Sequence, residues 1–534
     1  MFQGKKNKSI CRCLVLRMAK KILSVFFCVL ASFVFAVSEP VFKKELQREF
    51  VIIDSAHPYN LNPFTATYTN DARVLIGLYE GLFSYNPLTL EPEPAIAESF
   101  KISRNKLTWT ITLKDNLTFS NGEKITAYTF QNAWRRLLDP SLNAPFASLL
   151  DCIKGAEEYR TGKNTDFASV GITAKDDRTL VLKLNGPTEH LAKLLCHHSF
   201  SAYLPDEPGA YSGAFVLKEL TKDNVVLEKN AKYRVKDTVP LSSIRFILSD
   251  DREKNTYMFN TGKADWVTGP LDSSSVLNSS SLSVSPQFGT EYLFFKADNG
   301  VFSDPDVRNA LIYAAPIEEL RTGSLIQTNS LVLPLSDYPE VFGLPDPDEE
   351  TALALLKKAG YGDSEKLTVR LCLIDSEYSH SQAEKLQKAW EKIGVETVCS
   401  FLPSDQYLNA VETEKADIFS YIWIGDFADP LAFLELFRGS SSLNVSNWAN
   451  PRFDALLNEA ATIKDSSKRY EKLAEAEQIL IDDGVIIPIS HTVSLNLVDF
   501  STVKGWFSNA LDIHPLRYLY FVLPEPYPNL VMAK

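Results

Sequence analysis

Two carboxylates, Asp426 and Asp429, stand three residues apart between Gly425 and Pro430, directly after the apolar and aromatic run Ile418-Phe-Ser-Tyr-Ile-Trp-Ile424. Paired acids can do acid/base work of the glycosidase kind. One of them can instead cap the helix that follows. A third use is to hold an amine, backed by Trp423 and Phe427. Nothing nearby in the sequence supplies the second half of a hydrolytic site. Among the histidines, His190 and His197 are seven residues apart and so share a helix face, with His198 beside them. No carboxylate or cysteine completes a zinc or nickel set there, and His380 is alone in sequence. No Gly-x-Ser-x-Gly elbow, Walker loop, dinucleotide fingerprint or His-Glu-x-x-His is present. The expectation is a protein without catalytic residues, metal or cofactor.

The elements that position these residues are clearest from 346 onward. Asp346-Pro-Asp-Glu349 reads as a capping box with proline at the first helical position, and Gly360 ends that helix. Leu367–Leu373 reads as a strand, 379–393 as a helix, Val395–Phe401 as a strand, 405–413 as a short helix. The run 418–424 has the composition of a strand buried on both faces. Strand, helix, strand, helix, strand at this spacing implies parallel strands with right-handed crossovers. Asp426 then falls at the carboxyl edge of a parallel sheet, where open α/β sheets bind ligands, and the turn with Glu377 and His380 falls on the same edge. Helices at 451–463 and 467–482 and a strand at 485–489 follow.

Earlier in the chain, strands are expected at 50–54, 107–113, 179–184 and 225–228. Helical spacing covers 71–82, ended by Gly81, and a helix capped by Thr126 runs to about Leu138. Asn121-Gly122 marks a hairpin turn, and the serine-rich stretch 273–285 reads as a surface loop.

A chain of 534 residues, 45% hydrophobic and 23% charged, is an ordinary globular composition spread over two to four domains. The first 36 residues differ. They carry seven lysines and arginines and no acid, then the apolar run 22–36 ending at Ala36. That is the pattern of a secretory signal peptide over 1–36, with Met18 as an alternative start. The apolar run is shorter than the ~20 residues of a spanning helix. Lipid anchoring at Cys28 is disfavoured by Phe27, where a small residue belongs. Export places the protein in the periplasm or on the exterior of the cell envelope. Removing the seven bases takes the formal charge from −12 to about −19, which argues against nucleic-acid or anionic-lipid partners. Cys152, Cys196, Cys372 and Cys399 remain; a Cys372–Cys399 bridge and four free thiols are both open.

In order along the chain come Leu61-Asn-Pro63, Leu78-Tyr-Glu-Gly-Leu82, Ala97-Glu-Ser99 with Leu107-Thr-Trp109, and Phe119-Ser-Asn-Gly122. Thr126-Ala-Tyr-Thr-Phe130, Trp134, Asp139-Pro140, Gly213-Ala-Phe215, Thr261-Gly-Lys-Ala-Asp265 and Asp306-Val-Arg308 continue the series. In this ordered set the chain resembles the extracytoplasmic solute-binding proteins of peptide ABC importers, the oligopeptide- and dipeptide-binding group, over nearly all its length after the signal. The resemblance implies an α/β fold of the two-lobed clamshell kind (type II, large class), with mixed sheets flanked by helices. Lobe I would comprise 45–79, 204–288 and 495–534, an extra subdomain 80–203, and lobe II 289–494, with the hinge near 288 and 494. It implies a peptide ligand, delivery to the membrane permease subunits of the transporter, and a monomer.

The family's Trp-x-x-Asp motif, which sets an aspartate against the peptide's free amine, falls on Trp423-Ile-Gly-Asp426, with Gly425 inside it. Ser212-Gly213-Ala214-Phe215 matches the family's backbone-pairing segment, and His380 matches a position that can reach the peptide's carboxylate end. Thr67 and Thr69 complete the expected ligand-binding set. Three departures stand out. Ser420 replaces a basic residue of the oligopeptide group, Asn299 replaces a lysine, and Ile424 and Gly289 occupy the positions of a cysteine pair. Relatives that carry nickel chelates, haem or glutathione leave the cargo open, and an exported hydrolase using Asp426 and Asp429 is the reading from another class.

Overall fold

Two unusually long antiparallel strands, Leu282–Phe295 and Ile486–Val498, pair with each other and hold the largest sheet together. The structure, a computed structural model, describes residues 48–523 apart from 299, 363–364 and 428. The expected signal segment 1–36 and Asn299 lie outside the described residues.

On one side of the long pair, Ile418–Ile424 runs antiparallel to Leu282–Phe295. Parallel partners Thr368–Ile374 and Glu396–Leu402 extend the sheet outward. On the other side come Trp266–Val267, Phe50–Asp54, Ser243–Leu248, Asn224–Lys229 and Phe215–Leu220. A separate four-stranded antiparallel sheet is built wholly from residues between 97 and 183.

The helices beside the parallel strands form for local reasons visible in the chain. Glu377–Lys392 starts at Ser376, whose side chain accepts the Ser379 N–H, and buries Gln382, Ala383, Leu386, Ala389 and Trp390. That spacing is one helical face. Full burial of Leu386 and Trp390 contributes about 2–3 kcal/mol each, and the indole N–H finds the Leu311 carbonyl at 2.9 Å. Gly394 (φ +80) follows the last turn.

Several expectations shift. The helix expected over 71–82 is Thr69–Leu78, with Tyr79 already extended. Gly81 does not stop a helix. It allows close approach, since a Cβ there would sit 3.0 Å from the Leu195 carbonyl oxygen. The helix after Asp346-Pro begins at Glu349, because Asp348 is the residue whose carboxylate takes the Glu350 and Thr351 N–H groups. Only part of the serine-rich stretch is loop: the long strand starts at Leu282. The strand expected at 485–489 continues to Val498. Pairing of the two long strands is interrupted between Pro286 and Thr290, where three residues face one on the partner strand. All four cysteines from 152 onward are free. Cys372 is level with Ser400, one position past Cys399, so in this register the two thiols point to opposite faces of the sheet.

Candidate functional site

The strand Ile418–Ile424 is buried at its start but not throughout: Ile422 is 64% exposed. The reason is that its second half forms the wall of a cavity. Ser420, Tyr421, Ile422 and Trp423 all line a space of about 650 Å³, within the ~300–1,000 Å³ range of small-ligand sites. A narrower pocket of about 140 Å³ shares Thr67, Tyr68, Thr69, Phe146, Ile422 and Trp423 with it and contains Asp426.

The turn after the strand aims Asp426 into that narrow pocket. Trp423 is anchored by its indole N–H on the Ala432 carbonyl at 2.8 Å. The Gly425 N–H donates to the Phe288 carbonyl at 2.7 Å. A Cβ at Gly425 would come within 2.7 Å of the Phe288 ring, so glycine is required for this approach. The Asp426 carbonyl accepts the Tyr85 hydroxyl at 3.0 Å. Its carboxylate stays 18% exposed and faces His197 Nε2 at 3.4 Å. His197 Nδ1 accepts the Ser199 N–H at 3.3 Å, which leaves the ring proton on Nε2 to donate to Asp426. Among the described residues, no lysine or arginine pairs with this carboxylate.

Asp429 is a different object. Both of its oxygens accept from Arg469, at 2.8 Å each, and it also takes the Leu431 N–H at 3.1 Å. Burial acts to raise its pKa, but the Arg469 guanidinium overrides burial and holds the carboxyl below the ordinary range. The acid that bonds the start of the following short helix is therefore Asp429, not Asp426, the capping position itself being Pro430. This arrangement does not favour the hydrolase reading, because the second acid is committed to a buried ion pair.

The histidines divide. His190 stacks on Phe427 at 5.3 Å, and His198 Nε2 lies 3.4 Å from the Ala66 carbonyl. Burial pushes both of their pKa values down. No group of three possible metal ligands occurs among the described residues.

Thr67 and Thr69 line both spaces. His380 does not line the large cavity, although Tyr378, Ser379 and Gln382 on the same helix do. Its imidazole stacks on Phe401 at 3.7 Å and contacts Asp375 at 3.0 Å, on the outer side of the helix start. Gly213, Ala214 and Phe215 line neither of these spaces; Gly213 and Ala214 border a separate pocket of about 40 Å³ with Tyr85 and Cys196. The Gly213 N–H is spent on Leu78 O and its carbonyl on Asn230. A Cβ on Gly213 would meet Gly77 O at 2.4 Å, so this glycine serves close packing on the helix Thr69–Leu78. Gly289 and Ile424 are register partners on adjacent strands, the placement a cross-strand cysteine pair would need.

Sequence reasoning missed Glu291, Tyr378, Gln382, Tyr407 and Leu443 in the large cavity, and His197 in its present role. Alternation of Glu291 and Leu293 on one strand face is the signal that would have found the first.

Residues 91–444 match the family model of bacterial extracellular solute-binding proteins, family 5, middle region. The chain belongs to this family. It is 30% identical over 463 residues to the dipeptide-binding protein DppE of Bacillus subtilis, covering 80% of this chain and 83% of that one. The structure of the murein tripeptide binding protein MppA of Escherichia coli superposes with a TM-score of 0.80 at 26% identity, over 90% of this chain and 100% of that one. With an unliganded open form of MppA the TM-score falls to 0.61, over 90% and 98% of the two chains. The fold is accordingly the two-lobed type II binding-protein fold with mixed sheets and flanking helices, in an arrangement nearer to the first MppA structure than to the open one. Contacts between residues 145–160 and 440–442 fit that arrangement. Arg160 Nη2 donates to Ser440 O at 2.7 Å, and the Ser442 hydroxyl donates to Pro145 O at 2.6 Å.

Proposed function

We propose that this protein binds short peptides outside the cytoplasmic membrane, between its two lobes, and delivers them to the permease of a peptide ABC transporter. Asp426 takes the peptide's free α-amine in the narrow pocket, and the body of the peptide lies in the adjoining cavity. The observation that carries this reading is a partly exposed carboxylate with an imidazole and no lysine or arginine beside it, in a narrow pocket that adjoins a 650 Å³ cavity with mainly apolar walls. An ammonium is the group that satisfies such a carboxylate best, because a charge-assisted bond in a closed cleft is about twice as strong as a neutral one.

The lobe boundaries at 45–79, 204–288 and 495–534 against 289–494, with the subdomain 80–203, belong to the same proposal. The interrupted pairing between Pro286 and Thr290 supports a hinge there, and a peptide that binds the closed state more tightly would shift the population toward it. We further propose export by the segment 1–36, and a non-catalytic monomer. Glu291 and Glu412 in the cavity wall argue against an anionic chelate or haem as cargo.

Mass spectrometry of ligands released by denaturing the purified protein tests the proposal. A set of short peptides with free amino termini is expected. A single tetrapyrrole or metal chelate, or a cargo without an amine, would overturn it.

A further inference from the structure

The large cavity carries no lysine, arginine or histidine among its described lining residues, but it does carry two acids. Glu412 is exposed, whereas Glu291 is half-buried. Glu291 belongs to the long strand Leu282–Phe295 and is level with Ile422 on one neighbour and Ser490 on the other. Its carboxylate accepts the Ser490 hydroxyl at 3.2 Å and a bond from Tyr378. No described lysine, arginine or histidine forms an ion pair with it. Burial raises its pKa against those two hydroxyl bonds.

Tyr378, which bonds Glu291, also bonds Gln382, a buried residue tied to Leu320 O through its amide nitrogen at 2.6 Å. The wall around Glu291 is thus held in place by its own neighbours. A partly desolvated carboxylate without a counter-ion is costly unless the ligand brings a donor.

We propose that Glu291 is a specificity-determining subsite for a cationic side chain, so that the preferred cargo is a peptide with lysine or arginine near its amino terminus. This deepens the proposed function and rests on it. Ile422, level with Glu291, is four residues before Asp426, a span of at most about 13 Å at ~3.3 Å per extended residue and less through the turn after Ile424. An extended peptide whose amine is at Asp426 brings its second or third side chain to Glu291, and lysine or arginine is long enough to span the remainder. The same arithmetic of charge excludes acidic side chains from this wall, since like charges in a partly desolvated site repel.

Calorimetry with Ala-Lys-Ala-Ala, Ala-Ala-Lys-Ala and their norleucine counterparts, on wild type and Glu291→Gln, tests the subsite. The expectation is tenfold or greater preference for a lysine peptide over its norleucine counterpart in the wild type. In Glu291→Gln that preference falls below threefold, and a circular-dichroism melt like that of wild type shows that the variant is folded. Equal binding of lysine and norleucine peptides by wild type, with amino-terminal acetylation still weakening both, would overturn the subsite and leave the peptide-binding reading intact. A lysine preference unchanged in Glu291→Gln would likewise overturn it. No binding of any of these peptides would overturn both.

Discussion

Replacing Asp426 with asparagine removes one charge and almost no volume, so it isolates the electrostatic part of amine recognition. In the wild type the carboxylate is 18% exposed and has one neutral donor, His197, at 3.4 Å. At an effective dielectric of about 20, a unit pair 4 Å apart interacts by about 4 kcal/mol. Part of this is offset by desolvating the peptide ammonium, and hydrogen bonds to charged groups are worth about 1.5–3 kcal/mol net. Asp426→Asn should therefore weaken a free-amine peptide by about 10- to 150-fold. The decisive measurement is a cycle: wild type and Asp426→Asn, each titrated calorimetrically with a peptide and with its N-acetylated form. Acetylation removes the positive charge, so the mutation should cost the acetylated peptide far less, leaving a coupling energy of about 1.5–3 kcal/mol. Thermal melting of the free protein should be nearly unchanged, because Asp426 makes no buried ion pair with lysine or arginine. A coupling energy below about 0.5 kcal/mol would refute the assignment, whatever the size of the single effects.

Arg160 donates to Ser440 O while also paired with Asp151; in Arg160→Ala small-angle scattering of the peptide-saturated protein should report a larger radius of gyration, with affinity reduced about 5- to 30-fold for a closed-state contact of ~1–2 kcal/mol. Glu477 is fully buried, accepts the Leu331 and Val332 N–H groups and the Tyr338 hydroxyl, and burial pushes its pKa up to about 7. A carboxyl raised from an unfolded value near 4.5 favours the fold while protonated. Its contribution is thus complete below about pH 4.5 and lost as pH rises through about 7, a change of about 3 kcal/mol. Denaturant unfolding of Glu477→Gln should show this slope removed, the variant gaining on wild type at pH 8 relative to pH 5; parallel stability curves would contradict the argument. In His197→Phe, which keeps the packing on Phe146 at 4.4 Å and loses a neutral donor worth about 0.5–1.5 kcal/mol, discrimination between free and acetylated peptides should persist. Collapse of that discrimination would mean that His197, not Asp426, carries amine recognition.

The legible parts of this fold are those where local pattern and tertiary environment agree. The strands at 50–54 and 418–424 match residue for residue, because continuous apolar runs bounded by polar turns have no competing helical period. The strand Leu282–Phe295 was hidden for the opposite reason. Its serine-rich start reads as loop, and Pro286 and Gly289 are residues that weaken a strand, yet both sit at the interrupted pairing where a strand tolerates them. Spacing alone could not separate Asp426 from Asp429. Their roles are decided by Arg469, forty residues away, which only the folded chain brings to Asp429. His380 and Gly213 were transferred by resemblance, and each is occupied by its own neighbours. Local competition of this kind, Phe401 and Asp375 for one and Leu78 and Asn230 for the other, leaves no periodic trace in a sequence.

The arrangement of acids gives the cavity a direction. Glu291 is level with Ile422 on the neighbouring strand, and the turn that carries Asp426 follows that strand. Thr67, Phe146 and His197 approach from the chain's first half. Under the proposed division both carboxylates belong to 289–494, so closure would change what faces the two charges but not the separation between them. A ligand that bridges them with two cations of matching spacing gains from both in the closed state, whereas a ligand with one cation gains from one. Discrimination among peptides then follows from rigid spacing on one side of the cleft. The moving side supplies exclusion of water, which strengthens both interactions together.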